Sequence, residues 1–302
     1  FNTMALSILS NSAANSAAFS LNKNSAKLQQ SLTRLSSGKK ITTPADDAGG
    51  LAVSMKLTSA INRNRSVISN IQNALSFAEV QDGALTSSAT IVNRMSELKS
   101  LSLDVIKSSS DRANYNTEFN ALQQQLHSIA TETFNGISIF ASDAGSGVFG
   151  TGSVSLAIYT SDKGAAGSTV SLQKALLLSA LTFTSTTSTV AAAAGGSTTL
   201  ATSSPSAATL SIGTLGISFF TKALENIATL RASNAAGMAR LMLAEDHARL
   251  TMANLEAANS RIMDVDVAEE STRFAKYNIL TQASAAMLSQ ANQASSTALL
   301  LL

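Results

Sequence analysis

The chain has 302 residues and a formal net charge of +2, from 21 Lys and Arg against 19 Asp and Glu. Because the chain has no Cys and only 2 His, its composition excludes a disulfide framework and a Cys-ligated metal site. Because its net charge is near zero, the chain also lacks the excess of basic residues that is typical of nucleic-acid-binding proteins. No run of about 18 apolar residues could span a bilayer, and residues 1–4 lack the basic and apolar segments of a cleavable signal peptide.

Composition divides the chain into three parts. Residues 1–140 and 222–302 are rich in Ala, Ser, Asn, Gln and Leu, whereas residues 146–221 hold 29 Ser or Thr in 76 positions and only 3 charged residues. This order predicts a mainly α fold, in which both helical ends of the chain pack on each other and a β-rich middle is inserted between them.

The first arm has helical periodicity that ends at a glycine. Leu21, Leu28, Leu32 and Leu35 follow spacings of 7, 4 and 3 residues, which predicts one apolar face. Gly38 stands where a glycine stops a helix. An irregular connector follows, and its characteristic residues are Pro44, Asp46, Asp47, Gly49 and Gly50.

A long heptad pattern predicts a single helix over residues 52–106, about 80 Å long. Its seam positions are Ile61, Ile68, Ile71, Leu75, Ala78, Leu85, Val92 and Met95. The segment Ser108–Asp111 breaks this helix and can cap a third one, whose face holds Phe119, Leu122, Leu126 and Ile129. Asn135-Gly136 then predicts a β-hairpin.

The middle segment carries strand and loop signals. The β-branched run of residues 182–190 favours a strand, and the low-complexity run of residues 191–202 predicts a loop. Two interpretations of the Ser and Thr content stay open, namely strand and turn residues or exposed hydroxyls that carry O-glycans.

The last arm repeats the heptad pattern. Its apolar seam comprises Phe220, Leu224, Ile227, Met238, Leu241, Ala248, Met252, Leu255 and Ile262. Three further seam positions (Arg231, Asn234 and Glu245) are polar, which costs stability but fixes register. A terminal helix is predicted over residues 269–293, with the apolar residues Phe274, Tyr277, Leu280, Ala283, Met287 and Leu288 spread over more than one face.

The terminal arms are weakly charged and rich in small residues, so that neither arm alone buries enough apolar surface to offset its ordering entropy. Two interpretations remain open: the arms are frayed ends of a monomeric bundle, or they fold on self-assembly.

No catalytic, metal-binding or cofactor-binding constellation is predicted. His127 and His247 are isolated, and no zincin or phosphate-loop motif occurs. The paired acids at Asp46 and Asp47, and at Asp264 and Asp266, are interpreted as helix caps and as hydrogen-bonding residues of the connectors. We therefore expect no enzyme activity and no cofactor.

Several quoted stretches resemble the signatures of bacterial flagellins at both ends of the chain. At the N-terminal end these are Leu35-Ser36-Ser37-Gly38-Lys39-Lys40-Ile41 and Ala45-Asp46-Asp47-Ala48-Gly49-Gly50, with the turn Thr133-Phe134-Asn135-Gly136. At the C-terminal end they are Ser260-Arg261-Ile262-Met263-Asp264-Val265-Asp266-Val267-Ala268-Glu269-Glu270 and Ser289-Gln290-Ala291-Asn292-Gln293. The resemblance covers residues 5–142 and 222–302 but not the middle.

The resemblance implies a structural subunit of the helical flagellar filament for swimming motility. It implies export through a type III apparatus, an export chaperone on the C-terminal arm and an extracellular location without a cleavable signal peptide. By analogy, residues 1–42 and 262–302 form an inner antiparallel coiled-coil layer. Residues 43–145 and 222–261 form a helical rod with a β-hairpin, and residues 146–221 form a small β-type surface insert.

Expected assembly and core residues are Leu21, Leu28, Leu32, Leu35, Phe274, Tyr277, Leu280, Met287 and Leu288. Some flagellins are sensed by a vertebrate Toll-like receptor, and matching the motifs by position implies receptor contacts at Arg94, Leu98 and Glu118. Two alternatives stay open: a hook–filament junction protein of the same superfamily, and a secondary role as a receptor ligand. The sequence also leaves open whether other flagellins co-assemble.

Overall fold

The computed structural model describes residues 11–141, 155–184, 197–201 and 211–300. The helices found there are α1 (Ser12–Ser37), α2 (Ala48–Ser102), α3 (Ser109–Ala130), α4 (Leu177–Ala180), α5 (Ile217–Met263) and α6 (Val267–Leu300). The strands are β1 (Thr133–Phe134), β2 (Ile137–Ser138), β3 (Ser155–Tyr159), β4 (Thr169–Gln173), β5 (Thr182–Thr184) and β6 (Ser197–Thr199). The described residues form two compact units, one within 1–62 and 253–302 and the other within 63–252.

In the first unit α1 packs antiparallel on α6. The Asn11 side chain accepts a hydrogen bond from the Ala14 amide at 3.0 Å, which caps the start of α1. Gly38 ends α1 with a φ of 68°, so the predicted glycine stop is confirmed. Asp266 caps α6 by accepting from the Ala268 amide at 2.9 Å.

The second unit is built on the parts of α2 and α5 within 63–252, together with α3. The predicted seam of α2 is buried at Ile68, Ile71, Ala78, Leu85, Val92 and Met95, and that of α5 at Phe220, Ile227, Leu241 and Ala248. The rings of Phe119 and Phe220 meet edge to face with centroids 6.1 Å apart, which joins α3 to α5. The mainly α fold class is confirmed.

The middle segment contributes to this same helical core. β3 pairs with β4, and β5 pairs with β6, both antiparallel. Leu177, Leu181 and Phe183 are fully buried in one hydrophobic cluster with residues of α2, α3 and α5. The Asn226 amide in α5 donates to the Ala180 carbonyl at 2.9 Å, so the packing includes a buried hydrogen bond.

The strand and loop predictions for the middle segment can be compared with the structure only in part. The loop prediction for residues 191–202 is wrong at Ser197–Thr199, because these residues form a strand that pairs with β5, with Phe183 of β5 opposite the middle residue of that strand. β5 covers the first three residues of the predicted strand 182–190. The rest of both ranges, apart from 200 and 201, lies outside the described residues.

Helix bounds differ from the predictions for identifiable reasons. α2 begins at Ala48 rather than residue 52 because Asp47 caps it, its carboxylate accepting from the Gly50 amide at 2.9 Å. It ends at Ser102 rather than residue 106, where Asp104 forms a turn. α6 runs to Leu300 because no Gly or Pro follows residue 293 to stop it. α5 starts at Ile217, five residues before the predicted arm at 222.

Candidate assembly surfaces

The seam between α1 and α6 is built largely from small and polar side chains. The α1 positions at alternating steps of three and four are Ala14, Ala17, Leu21, Asn24, Leu28, Ser31 and Leu35, all partly or fully buried. The matching α6 positions are Glu270, Phe274, Tyr277, Thr281, Ser284, Leu288 and Ala291. Because small residues let helices approach closely but bury little apolar area, this pair gains only modest hydrophobic stabilisation on its own.

Two hydrogen bonds set the register of this antiparallel pair. The Asn11 amide donates to the Ala291 carbonyl at 2.9 Å, and the Asn24 amide donates to the Ser284 hydroxyl at 3.0 Å. Since Asn24 sits inside the seam, a shift of one turn would break its hydrogen bond to Ser284.

The expected assembly residues fall into two groups. Leu21, Leu28, Leu35, Phe274, Tyr277 and Leu288 are half-buried in the seam, whereas Leu32, Leu280 and Met287 are exposed. Leu32 was expected on the same face as Leu28, but Ser31 takes the buried position because the seam steps by three residues there. Leu32 therefore faces away from α6.

Large apolar side chains point outward from both arms. The exposed fraction is 71% at Phe19, 54% at Leu32 and 66% at Met287. At Met287 an open groove of about 370 Å³ runs between the helices, lined by small residues of α1 and by Leu280 and Met287. Exposed apolar patches of this kind mark interaction surfaces.

Asp46 is the hydrogen-bonding centre of the connector. Its carboxylate accepts from the Thr42 amide at 3.1 Å, the Thr42 hydroxyl at 3.0 Å and the Thr43 amide at 3.1 Å. It also accepts from Gln30 Nε2 at 2.6 Å and from Arg34 Nη2 at 3.3 Å, both in α1. The bonds from Thr42, Thr43 and Gln30, the Thr42 amide first, hold the pKa of the Asp46 carboxyl well below its usual range. The connector is thus fastened to α1.

The other connector residues shape the entry into α2. Pro44 lies in a turn that the Asp46 amide closes on the Thr43 carbonyl at 3.0 Å, at the turn position where proline is favoured. A Cβ on Gly50 would lie 2.4 Å from an Asp47 oxygen and 2.9 Å from Ile41 Cδ1. Glycine is therefore the residue that fits there.

The connector is also tied to the link between α5 and α6. The Lys40 amide donates to the Met263 carbonyl at 2.6 Å, and the Val265 amide donates to the Gly38 carbonyl at 3.1 Å. Nearby, the Ser54 hydroxyl donates to Asn259 Oδ1 at 2.7 Å. The flagellin-like motif of residues 35–41 thus contacts the flagellin-like motif of residues 260–270.

The residues matched to receptor contacts lie in the second unit. Arg94 Nε donates to Glu118 Oε1 at 2.9 Å, so both form an exposed ion pair between α2 and α3. Leu98 is fully buried in the hydrophobic core. A direct receptor contact by Leu98 is therefore at odds with its burial, and its side chain instead packs beneath this surface.

Comparison with known proteins decides the family. The family model for the bacterial flagellin N-terminal helical region matches residues 8–144, and the model for the C-terminal helical region matches residues 217–302. Together they match more than half of the chain. The chain belongs to the bacterial flagellins. The family is one of structural filament proteins and not of enzymes.

Individual relatives agree over nearly the whole flagellin chain. It is 33% identical to the flagellar filament 30.7 kDa core protein of Treponema maltophilum over 270 residues, covering 89% of this chain and 90% of the relative. It is 32% identical to the flagellin of Listeria monocytogenes over 275 residues, covering 90% and 91%. These relatives are filament proteins, so the comparisons do not favour the junction-protein alternative.

Within the described ranges, no helix has the length and apolarity needed to cross a membrane. In the same part of the chain, no three His, Asp or Glu side chains cluster closely enough to share a metal ion.

Sequence reasoning on this flagellin missed the polar half of the arm seam. Asn24, Ser31, Thr281 and Ser284 all occupy seam positions, but an apolar search skips them. The available signal was the alternation of three and four residues between Leu21 and Leu35, in which Asn24 and Ser31 take the intervening positions.

Proposed function

We propose that this subunit builds the helical flagellar filament for swimming by coupling the ordering of its terminal arms to polymerisation. The observation that carries the proposal is the distribution of apolar side chains on the arms. The inner seam holds Asn24, Ser31 and Ser284, whereas Phe19 and Met287 face outward. Neighbouring copies would supply the apolar surface that each isolated pair of arms lacks.

The arms can be tested by deletion. Removal of residues 1–30 or of residues 273–302 should leave a soluble chain that does not polymerise. Electron microscopy after seeding at moderate salt is the measurement, with the full-length chain as control. Normal filaments from either truncation would contradict the proposal.

Point substitutions give a finer test of the outward face. Met287→Gln combined with Phe19→Ser should raise the critical concentration for polymerisation at least tenfold, since each removes an apolar group worth about 1.5–3 kcal/mol on full burial. Gln29→Ala, at an exposed polar site on α1, is the matched control and should change the critical concentration little. Equal critical concentrations for all three proteins would contradict the assignment.

The three-part division of the chain is part of the proposal. Residues 1–42 and 262–302 would form the inner layer and residues 43–145 and 222–261 the rod. Residues 146–221 would form a surface insert that packs on the rod through Leu177, Leu181 and Phe183 and presents its remaining surface outward. The antiparallel packing of α1 on α6 supports the inner layer. In intact filaments, proteolysis should cut the insert while sparing the arms; cleavage in the opposite order would contradict the division.

The same proposal includes delivery and location. We infer that the chain is exported by the flagellar type III apparatus to an extracellular filament, with a chaperone covering the C-terminal arm before assembly. The exposed Ile279 and Met287 on α6 support a need for such cover. Met287→Gln should weaken chaperone binding in a titration against the purified chaperone, whereas unchanged affinity would count against this role.

A receptor-ligand role is a second candidate that rests on the exposed Arg94–Glu118 pair. Glu118→Ala should reduce Toll-like receptor signalling by monomeric protein. Glu225→Ala, which removes another exposed acid paired with a nearby Lys222, is the control. An equal response to both variants would exclude the assignment.

A further inference from the structure

The turn between α2 and α3 carries two solvent-exposed apolar side chains. The Lys107 amide donates to the Asp104 carbonyl at 3.4 Å, which places Val105 and Ile106 at the two central positions of the turn. Both side chains are 91% exposed. They form the most exposed pair of large apolar residues in the described part of the chain, and we call them the turn tip.

The turn tip is held in one conformation by its neighbours. Asp104 Oδ1 accepts from the Ile106 amide at 3.0 Å, and the Arg112 guanidinium donates to the Asp104 carbonyl at 3.2 Å. Ser108 and Asp111 form a reciprocal capping box immediately afterwards. The tip is therefore preorganised, which lowers the entropic cost of docking it.

This composition is unusual for a turn. Gly, Pro, Asn, Asp and Ser dominate turn positions, whereas β-branched apolar residues favour strands. Because Val105 and Ile106 stay exposed in the folded chain, neither side chain contributes hydrophobic stabilisation to folding. An apolar partner that covers them would account for their presence.

An apolar groove of matching character lies elsewhere in the same unit. It has a volume of about 560 Å³ and is walled by α2, the β1–β2 hairpin and the β3–β4 hairpin. Its apolar lining comprises Phe77, Phe134, Ile137, Leu156, Ile158 and Leu172. Phe77 and Phe134 pack edge to face at 6.1 Å, giving the groove a firm base, and Ile137 is 47% exposed at its edge. Sites that hold small apolar ligands have volumes of about 300–1,000 Å³.

The turn tip cannot fill the groove of its own chain. Phe77 and Ser102 are separated by 25 residues of continuous helix in α2, which corresponds to about 38 Å. The tip begins three residues after this helix ends, so it cannot return to the groove. A filament places many identical copies beside one another, so a second copy is the partner at hand.

We propose that Val105 and Ile106 of one subunit dock into the groove between α2 and the two hairpins of a neighbouring subunit. The contact joins two different surfaces and is therefore heterologous, the type of interface that generates open helical assemblies. This inference rests on the proposed self-assembly of the chain, and it assigns a specific subunit contact outside the terminal arms.

Polymerisation of the full-length chain tests the turn tip. Val105→Ser combined with Ile106→Ser should raise the critical concentration at least tenfold, because burying one such side chain is worth more than the ~1.4 kcal/mol of a tenfold change. The matched control exchanges the two residues, Val105→Ile with Ile106→Val, and should polymerise within about threefold of the original chain. Far-UV circular dichroism of the monomers should be unchanged in both.

Disulfide trapping tests the groove, since the chain has no Cys of its own. Filaments carrying Val105→Cys and Ala157→Cys should yield a ladder of covalent multimers on mild oxidation. Filaments carrying Val105→Cys and Ser87→Cys, with the second site exposed on α2 outside the groove, should yield none. Equal ladders, or no ladder together with a serine variant that polymerises normally, would overturn the docking. Failure of the original chain to polymerise would instead contradict self-assembly, and the docking with it.

Discussion

Replacement of Asp46 by Asn tests whether the connector is held by a charge rather than by shape. The wild-type carboxylate accepts five hydrogen bonds, from Thr42 twice, Thr43, Gln30 and Arg34. Asn has nearly the same volume, but its amide nitrogen is a donor and cannot accept from any of these groups. At least two donors would lose their acceptor, and the ion pair with Arg34 would be lost.

The size of the effect follows from these contacts. Hydrogen bonds to a charged group are worth about 1.5–3 kcal/mol each, and bonds at one carboxylate are not additive. Because the Asp46 side chain is only 9% exposed, water compensates little. We expect Asp46→Asn to lower the free energy of unfolding by about 2–4 kcal/mol at pH 7.

The pH dependence has a fixed sign. The Thr42 amide first, and then the Thr43 amide, the Thr42 hydroxyl and Gln30, lower the pKa of Asp46 in the folded state. An aspartate with a lowered folded pKa contributes stability above its unfolded pKa of about 4, and that stability is lost as the pH falls towards the folded value. The difference between wild type and Asp46→Asn should therefore be constant from pH 7 to pH 5 and shrink below about pH 4.

Urea unfolding of the full-length chain, followed by circular dichroism at several pH values, measures this difference. Asp47→Asn is the matched control, because Asp47 accepts a single amide hydrogen bond and Asn caps helices about equally well. It should change stability by less than about 0.5 kcal/mol. A loss below about 0.5 kcal/mol for Asp46→Asn, or a difference at pH 2.5 that is as large as the difference at pH 7, would refute the reasoning.

Three further outcomes follow from the second unit and α2. Gln123→Leu should raise the free energy of unfolding by about 1 kcal/mol, because the amide is fully buried with no hydrogen-bond partner in the described structure; urea unfolding that shows a loss would contradict this. A double-mutant cycle on Asp82 and Arg231, joined at 2.9 Å on the surface, should give a coupling of about 0.2–1 kcal/mol, and a larger value would contradict solvent screening. Gly83→Ala should stabilise the helix by about 0.5–1 kcal/mol, since its Cβ meets nothing within 4 Å, whereas Gly50→Ala should destabilise; equal melting temperatures would refute the steric argument.

Periodicity predicted the apolar seam positions of the long helices well, because these positions are buried, whereas Arg231, predicted in the seam of α5, lies on the surface with 44% of its side chain exposed. Ile71, Leu85 and Met95 are fully buried where the heptad of α2 predicts them. The helix ends were less accurate because capping overrides periodicity. Asp47 and Asp266 start α2 and α6 earlier than their first apolar seam residues indicate.

The middle segment resisted prediction for a different reason. Its strands are three to five residues long, and short Ser- and Thr-rich strands carry little hydrophobic alternation to fix a register. Phe183 and Leu181 pack against helices that are distant in sequence, so their burial depends on tertiary contacts that no local pattern contains. Composition nevertheless marked the segment correctly as β-type.

The arm seam and the connector stabilise the arms in different ways. Seam positions such as Asn24 and Ser31 specify register but release little free energy, whereas the Asp46 hydrogen bonds fasten α1 to the connector independently of any neighbour. A subunit built in this way can keep its arms aligned yet weakly stabilised until other copies cover Phe19 and Met287. We therefore expect the arms to align first, through contacts within one chain, and to gain the larger apolar stabilisation only when neighbouring copies bury their outward side chains during assembly.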